Sequence, residues 1–401
     1  MTTAALPTAA APASRPPLSM KSVDFRRAPF LVIWETTQAC ALACRHCRAS
    51  ARPGRDPLEL TTEEGRRVVQ QTAEMGTPLI VFTGGDPVSR PDLPDLIAEG
   101  KAQGLRTATI PAATDALTAE LICRLKDAGL DQLALSLDFP EAALHDAFRG
   151  VPGAFERTMR AASWAHGAGL PLQINTTVCA DTLPYLDRMA AFVERLGIVF
   201  WEVFFLVPTG RGSVMGGLRP EQCERAFALL HGVQEKSSFI LKVTEAPHYR
   251  RHVAQRVRRP TGHHDGAPGA VEMPSLLTTS EGPGHTVGLA PRGVNAGNGF
   301  LFVSHRGEVF PSGFLPVSAG SVRARHLADI YRSAPLLRAL RDPDRLRGRC
   351  GYCEFREICG GSRSRAHALT GDPFATDPWC AYQPAPPDVP RVEAAPRRND
   401  A

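Results

Sequence analysis

The sequence predicts an α/β protein: a parallel sheet laid out as a partial (β/α)6 TIM-like barrel, followed by a small C-terminal cysteine-rich domain. Three observations predict it. Short apolar runs alternate with helix-patterned segments six times between residues 28 and 212, and such repetition gives parallel strands joined by right-handed crossovers. Polar motifs fall directly after the apolar runs, on the edge where parallel α/β sheets carry their sites. Cysteines gather in two tight groups. Six units are too few for an eightfold barrel, so the sheet is expected to stay open.

The elements follow in order. Phe30 to Trp34 is the first strand, and the first cysteine group comes straight after it. Thr61 and Glu64 form a capping box for a helix carrying Val68, Val69 and Met75, which Gly76 closes. Leu79 to Phe82 is the second strand, ending in Thr83-Gly84-Gly85-Asp86-Pro87. Arg106 to Ile110 is the third, and Thr118 caps the helix of Leu121, Ile122 and Leu125. Leu133 to Leu137, Leu172 to Thr177 and Val199 to Phe205 complete the set, with helices at about Ala154 to His166 and Leu183 to Leu196.

Beyond Gly212 the periodicity weakens. The expected division is a tail over 1–27, the barrel over 28–215, a bridging region over 216–292, the cysteine-rich domain over 293–383 and a second tail over 384–401. The bridge holds a helix near Glu221 to Val233 and the run His263-His264-Asp265, read as a solvated loop. Phe300 to Ser304 and Glu308 to Phe310, about the turn at Arg306-Gly307, form a hairpin, and a helix is expected from His326 to Leu340.

A chain of 401 residues, 43% hydrophobic, buries one large core or a large and a small one. The net charge of +5 is not concentrated in one basic run, which argues against a nucleic-acid partner. No apolar stretch reaches membrane-spanning length and no signal peptide is visible, so a cytoplasmic protein without a membrane partner is expected. Ten cysteines in that compartment stay reduced. Grouped ones then point to metal, while the single Cys123, Cys179 and Cys223 read as core residues.

Cys40, Cys44 and Cys47 supply three thiolates from one loop. A structural zinc site needs four ligands, and His46 is the nearby candidate. A [4Fe–4S] cluster held by three cysteines keeps one iron open to an outside ligand, as a catalytic centre requires, and ligand type and spacing favour iron–sulfur. Cys350, Cys353, Cys359 and Cys380 supply four thiolates, enough to close a site of either zinc or iron–sulfur type.

Cys40-Ala-Leu-Ala-Cys44-Arg-His-Cys47 after the first strand, with Gly84-Gly85-Asp86-Pro87 after the second, resembles the signature of the radical SAM superfamily. The likeness covers about residues 28 to 212 and resumes from 295 to 383. It implies a [4Fe–4S] cluster on the three cysteines, with S-adenosylmethionine chelated to its open iron and cleaved to a 5′-deoxyadenosyl radical. It further implies that Gly84 and Gly85 meet the methionine amino group beside Asp86, which stands where the family usually has Glu. Ser136 and Asp138 resemble the ribose contacts, Asn175 and Thr177 the fifth-strand lining, and Val207 the residue near adenine. Arg149 could reach the methionine carboxylate. An electron donor of flavodoxin or ferredoxin type is implied as partner.

Cys350-Gly-Tyr-Cys353-Glu-Phe-Arg-Glu-Ile-Cys359-Gly-Gly-Ser-Arg363 resembles the auxiliary-cluster domain called SPASM. Ser312 and Arg363 stand where its seven-cysteine form has further ligands, so one auxiliary [4Fe–4S] cluster is the implied count. Gly360-Gly361-Ser362-Arg363-Ser364-Arg365-Ala366 and Thr370-Gly371-Asp372 look most like the branch that oxidises or decarboxylates tetrapyrrole side chains. Arg211, Arg250 and Arg251 are then candidate partners for propionates, or ordinary surface charges. The alternative substrate is a ribosomally made peptide, and the non-enzymatic alternative is a zinc- or cluster-bound structural or electron-transfer protein.

Overall fold

A computed structural model describes residues 23–257 and 293–386; His263-His264-Asp265 and most of both expected tails lie outside them. The barrel strands are β1 (Leu31–Glu35), β2 (Leu79–Thr83), β3 (Arg106–Thr109), β4 (Gln132–Ser136), β5 (Leu172–Val178), β6 (Phe200–Phe205) and β7 (Ile240–Thr244). Between them run α1 (Thr62–Glu74), α2 (Leu93–Ala102), α3 (Ala119–Asp127), α4 (Ala142–Arg149), α5 (Ala154–Gly167), α6 (Leu186–Arg195) and α7 (Pro220–Gln234), and α8 (His248–Val257) follows β7. All seven strands are parallel and hydrogen-bonded in sequence order. The helices hide one sheet face, which is why strands such as Leu79-Ile-Val-Phe read as unbroken apolar runs.

Helix starts obey local chemistry. Thr61 accepts from Glu64 N while the Glu64 carboxylate accepts from Thr61 N, the reciprocal box expected. Thr118 accepts from Leu121 N at the start of α3. Two readings need correction. β7 was expected to be part of an irregular bridge, because Ile240-Leu-Lys-Val-Thr is short and carries a lysine; it pairs along β6 from Phe200 to Phe204. The single helix expected from His326 to Leu340 is two, α9 (Leu327–Ser333) and α10 (Pro335–Leu340), since Pro335 has no N–H to continue the first.

The C-terminal part enters the same sheet. It comprises β8 (Asn295–Ala296), β9 (Gly299–Val303), β10 (Glu308–Phe310), β11 (Gly320–Ser321), α11 (Gly348–Tyr352) and α12 (Arg363–Thr370) besides α9 and α10. β9 and β10 form the expected antiparallel hairpin. In addition β9 lies parallel against the free side of β1, Leu31 opposite Phe300. The sheet therefore runs β11-β10-β9-β1-β2-β3-β4-β5-β6-β7, with β8 beside β9. The path ends at β7 on one side and β11 on the other, so β7 does not pair back onto β1 and the barrel does not close.

A cavity lies in the lumen and extends to residues at β7 and β8, Thr244, Asn295 and Ala296. Inward side chains Leu31, Ile33, Leu79, Val81, Phe200 and Phe204 line it, with Phe300 and Phe314 from the C-terminal part. Among the described residues no helix is long and apolar enough to cross a membrane.

Candidate active site

The loop after β1 carries Cys40, Cys44 and Cys47 in one small cluster with Leu42 and Ala51. Its backbone is hemmed in on several sides. Gly85 N donates to Thr37 O at 2.8 Å and Asp86 N to Ala39 O at 2.6 Å. The two chains pass so closely that a Cβ on Gly84 would lie 2.5 Å from Thr37 O, and one on Gly85 2.4 Å from Ala39 O. Glycine is thus demanded here by backbone approach to the cysteine loop, whatever else binds. Gly85→Ala should lower stability by about 1–3 kcal/mol and reduce iron loading. Gly54→Ala, with nothing within 4 Å of its Cβ, should leave iron content and melting temperature unchanged.

Three arginines that sequence reasoning left undervalued hold the same loop. Arg211 donates from Nε to Cys44 O and from Nη1 to Ala51 O, both at 2.9 Å, and its own N–H meets Cys47 O at 3.0 Å. It is a clamp, not a free surface charge. Arg48, next to Cys47, pairs with Glu35 at 2.6 Å and stacks over Phe302 at 4.6 Å. Its Nη1 also reaches Gly313 O, tying the loop to the C-terminal part. Arg149 lies 2.6 Å from Asp138 and extends Nη1 to Cys44 Sγ at 3.8 Å. The signal for Arg48 was its place beside Cys47 and for Arg211 its place just beyond β6; Arg149, at the end of α4, carried no local signal.

The remaining expected residues fall on that edge, but not all are open. Ser136 pairs in register with Asn175, and both share a face with the lumen-lining Gln132, Ala134 and Gln173 by strand alternation. Thr177 shares it too, and Val207 is buried just beyond β6. Asp138 is fully enclosed, engaged by Arg149 and by Thr177 N at 2.8 Å. Asp138 and Arg149 thus face each other as a buried pair at the C-terminal edge of the sheet. Asp86 is likewise occupied: it accepts from Thr114 Oγ1 at 2.6 Å and Ala112 N at 3.2 Å, and burial raises its pKa. His46 stacks on Phe148 at 4.5 Å, and burial pulls it down to about 4, leaving the ring neutral.

The sulfur environments are consistent. Each thiol of the first group faces an N–H: Leu42 N to Cys40 at 3.3 Å, Ala51 N to Cys47 at 3.4 Å, and Arg149 to Cys44. The second group repeats this, with Gly361 N to Cys359 at 3.4 Å, Arg363 to Cys350 at 3.7 Å, and backbone donors from Phe355 and Tyr382 to Cys353 and Cys380. All four of these cysteines line a cavity of about 400 Å³. Burial pushes the Cys40 thiol up to about 12 and Cys353 up to about 11. Thiols so buried become thiolates only against a metal charge, and the N–H groups then serve as their hydrogen-bond donors. Among the described residues no three His, Cys, Asp or Glu are placed to hold a single ion. A cluster whose ligands attach to separate irons does not ask for that closeness. The donor sets fit iron–sulfur clusters.

Of the lone cysteines, Cys179 and Cys223 are buried as core residues, whereas Cys123 is exposed on α3. Arg363, in place of a family cysteine, donates to Pro373 O and Ala375 O and so braces the loop leading to Cys380.

Comparison with known proteins agrees with this architecture. The family model described as Radical SAM superfamily matches residues 34–192. The AdoMet-dependent heme synthase of Oleidesulfovibrio alaskensis is 39% identical over 356 residues, 88% of this chain and 87% of that protein. The AdoMet-dependent heme synthase of Methanosarcina barkeri is 38% identical over 362 residues, 90% of this chain and 99% of that protein. Among solved structures, Streptococcus suis SuiB bound to its precursor peptide SuiA superposes with a TM-score of 0.66 at 16% identity, covering 89% of this chain and 76% of that one. Near-full-length identity of this order, with the cysteine loop and its glycine-rich neighbour in place, makes the chain a member of the radical SAM superfamily, an enzyme that works with a [4Fe–4S] cluster and S-adenosylmethionine.

Proposed function

We propose that the substrate is an iron-bound tetrapyrrole and that the reaction removes side-chain carboxylates from it. The observation that carries this reading is identity of 38–39% along most of the chain with proteins named as heme synthases; the likeness to a peptide-bound structure is of fold alone, at 16%. The lumen supports it, since its aromatic wall of Phe200, Phe204, Phe300 and Phe314 suits a broad, flat, apolar ring.

Cys40, Cys44 and Cys47 hold the catalytic cluster, and Cys350, Cys353, Cys359 and Cys380 hold one auxiliary cluster. When bound, the first cluster and S-adenosylmethionine supply a 5′-deoxyadenosyl radical that takes a hydrogen atom from the substrate. The backbone of Gly84 and Gly85, with Ser136, Asn175, Thr177 and Val207, forms the cofactor's wall. Asp86, Asp138 and Arg149 fix that wall from behind. The apolar lumen keeps water from the substrate carbon, which protects a radical from side reactions. A propionate that loses one hydrogen atom, one electron and CO2 becomes a vinyl group, so the reaction also needs an electron acceptor. A flavodoxin- or ferredoxin-type protein supplies the electron that starts each turnover, in a cytoplasmic setting.

The test is anaerobic incubation of the reconstituted, reduced enzyme with S-adenosylmethionine and iron coproporphyrin III, read by mass spectrometry. Stepwise loss of carboxyl groups, each matched by 5′-deoxyadenosine, is the expected result. Deoxyadenosine that forms only with a peptide substrate would replace this reading with peptide maturation.

A further inference from the structure

The lumen wall contains four charged side chains, Glu202, Lys242, Glu245 and Arg250. Three have their carboxylate or ammonium met by a charge or by hydroxyls, though Glu245, like Arg250, forms no ion pair among the described residues. Lys242 Nζ meets Glu202 Oε1 at 2.8 Å, and Gln173 donates to the other Glu202 oxygen at 2.9 Å. Glu245 accepts from the hydroxyls of Ser312, Ser362 and Ser364.

Arg250 differs. Among the described residues it makes no ion pair; Nη1 donates to Ile358 O at 3.2 Å and Nη2 to Val294 O at 2.5 Å, both neutral carbonyls. Its neighbour Arg251 is paired with Glu224, so the shortfall is not a property of the helix. A guanidinium has five N–H donors and stays charged even when burial pulls its pKa down, as it does here. Two bonds to carbonyls leave donors uncommitted, and the opposite charge that acts on this half-buried guanidinium is the Cys359 sulfur, so the free donors can take a further anion. The two carbonyls also fix the fork: Val294 lines the lumen directly before β8, and Ile358 precedes Cys359.

We propose that Arg250 is a specificity-determining residue that seats one carboxylate of the substrate at the open side of the barrel, beside the auxiliary cysteines. The proposal rests on the tetrapyrrole reading. Planar two-point recognition of a carboxylate is the task for which a fixed guanidinium is suited and a lysine is less so. It also separates three arginines that sequence alone left equal: Arg251 is paired with Glu224, and Arg211, which like Arg250 bonds only to carbonyls, lies at the cysteine loop and not on the lumen wall.

The experiment is an absorption titration of the fully reconstituted chain with two probes, iron coproporphyrin III and iron octaethylporphyrin, which has no carboxylates. Arg250→Gln should weaken the first by roughly ten- to hundredfold and leave the second unchanged, with Arg250→Lys in between. Equal weakening of both probes would show that Arg250 only shapes the cavity. Unchanged affinities with a shifted reduction potential of the auxiliary cluster would show that it is the cluster's counter-cation. Either outcome overturns the assignment while leaving the tetrapyrrole reading intact. Wild type that binds neither probe removes that reading, and the Arg250 assignment falls with it.

Discussion

Replacing Cys40, Cys44 and Cys47 together by alanine should abolish 5′-deoxyadenosine formation while leaving the auxiliary site loaded. The two cysteine groups stand on separate loops with separate N–H donors, so losing one donor set does not dismantle the other. Iron analysis should accordingly fall from about eight to about four atoms per chain if both sites hold four-iron clusters. The loop itself should survive, because Arg211 grips the carbonyls of Cys44, Cys47 and Ala51 rather than any sulfur. Retained deoxyadenosine production by the triple variant would refute the assignment of these cysteines. A fall to no iron at all would show instead that the second group depends on the first.

Arg365→Met should cost about 3–5 kcal/mol of stability, measured by denaturant unfolding of the holoenzyme. Arg365 is fully buried, 3.1 Å from the equally buried Asp377, and its guanidinium lies 4.1 Å over the Trp379 ring. It also donates to the carbonyls of Leu206 and Glu245, at the ends of β6 and β7. One side chain thus fastens α12 to the mouth of the barrel. Truncating it strands a buried carboxylate, which is why the loss exceeds that of the methylenes alone. Burial works against the Asp377 carboxylate, yet Arg365 and then His248 hold it below its ordinary range. The pair's contribution is therefore present above the usual carboxylate pKa and fades as pH falls through the depressed value. A companion Asp377→Asn change should restore part of the stability. A variant within about 1 kcal/mol of wild type would mean that this pair does not hold the two parts together.

Much of this was legible beforehand because the signals were local. Apolar runs set β1 to β6 within a residue or two, and capping threonines set α1 and α3. What was not legible depends on distant pairing. β7 is short and half-polar, and only its neighbour β6 makes it a strand. Asp138 and Arg149 were read as separate ligand contacts because nothing in the sequence says that they face each other at 2.6 Å. The glycines of Gly84-Gly85 were attributed to the cofactor, whereas their first obligation is to the carbonyls of Thr37 and Ala39. Arg211 looked solvated for the same reason: its acceptors lie about 160 residues earlier in the chain.

The place of β9 beside β1 has a consequence for how the protein is made. Leu31 and Phe300 are register partners although 269 positions separate them (300 − 31). At a synthesis rate of about 5–20 residues per second, β1 waits on the order of 13–54 seconds for that neighbour. Throughout that interval one side of an apolar strand, Leu31-Val-Ile-Trp-Glu, offers unpaired amides to any passing edge. The nascent barrel is thus an aggregation hazard until β9 arrives. Low expression temperature and chaperone supply should raise the yield of this enzyme more than any change to its surface.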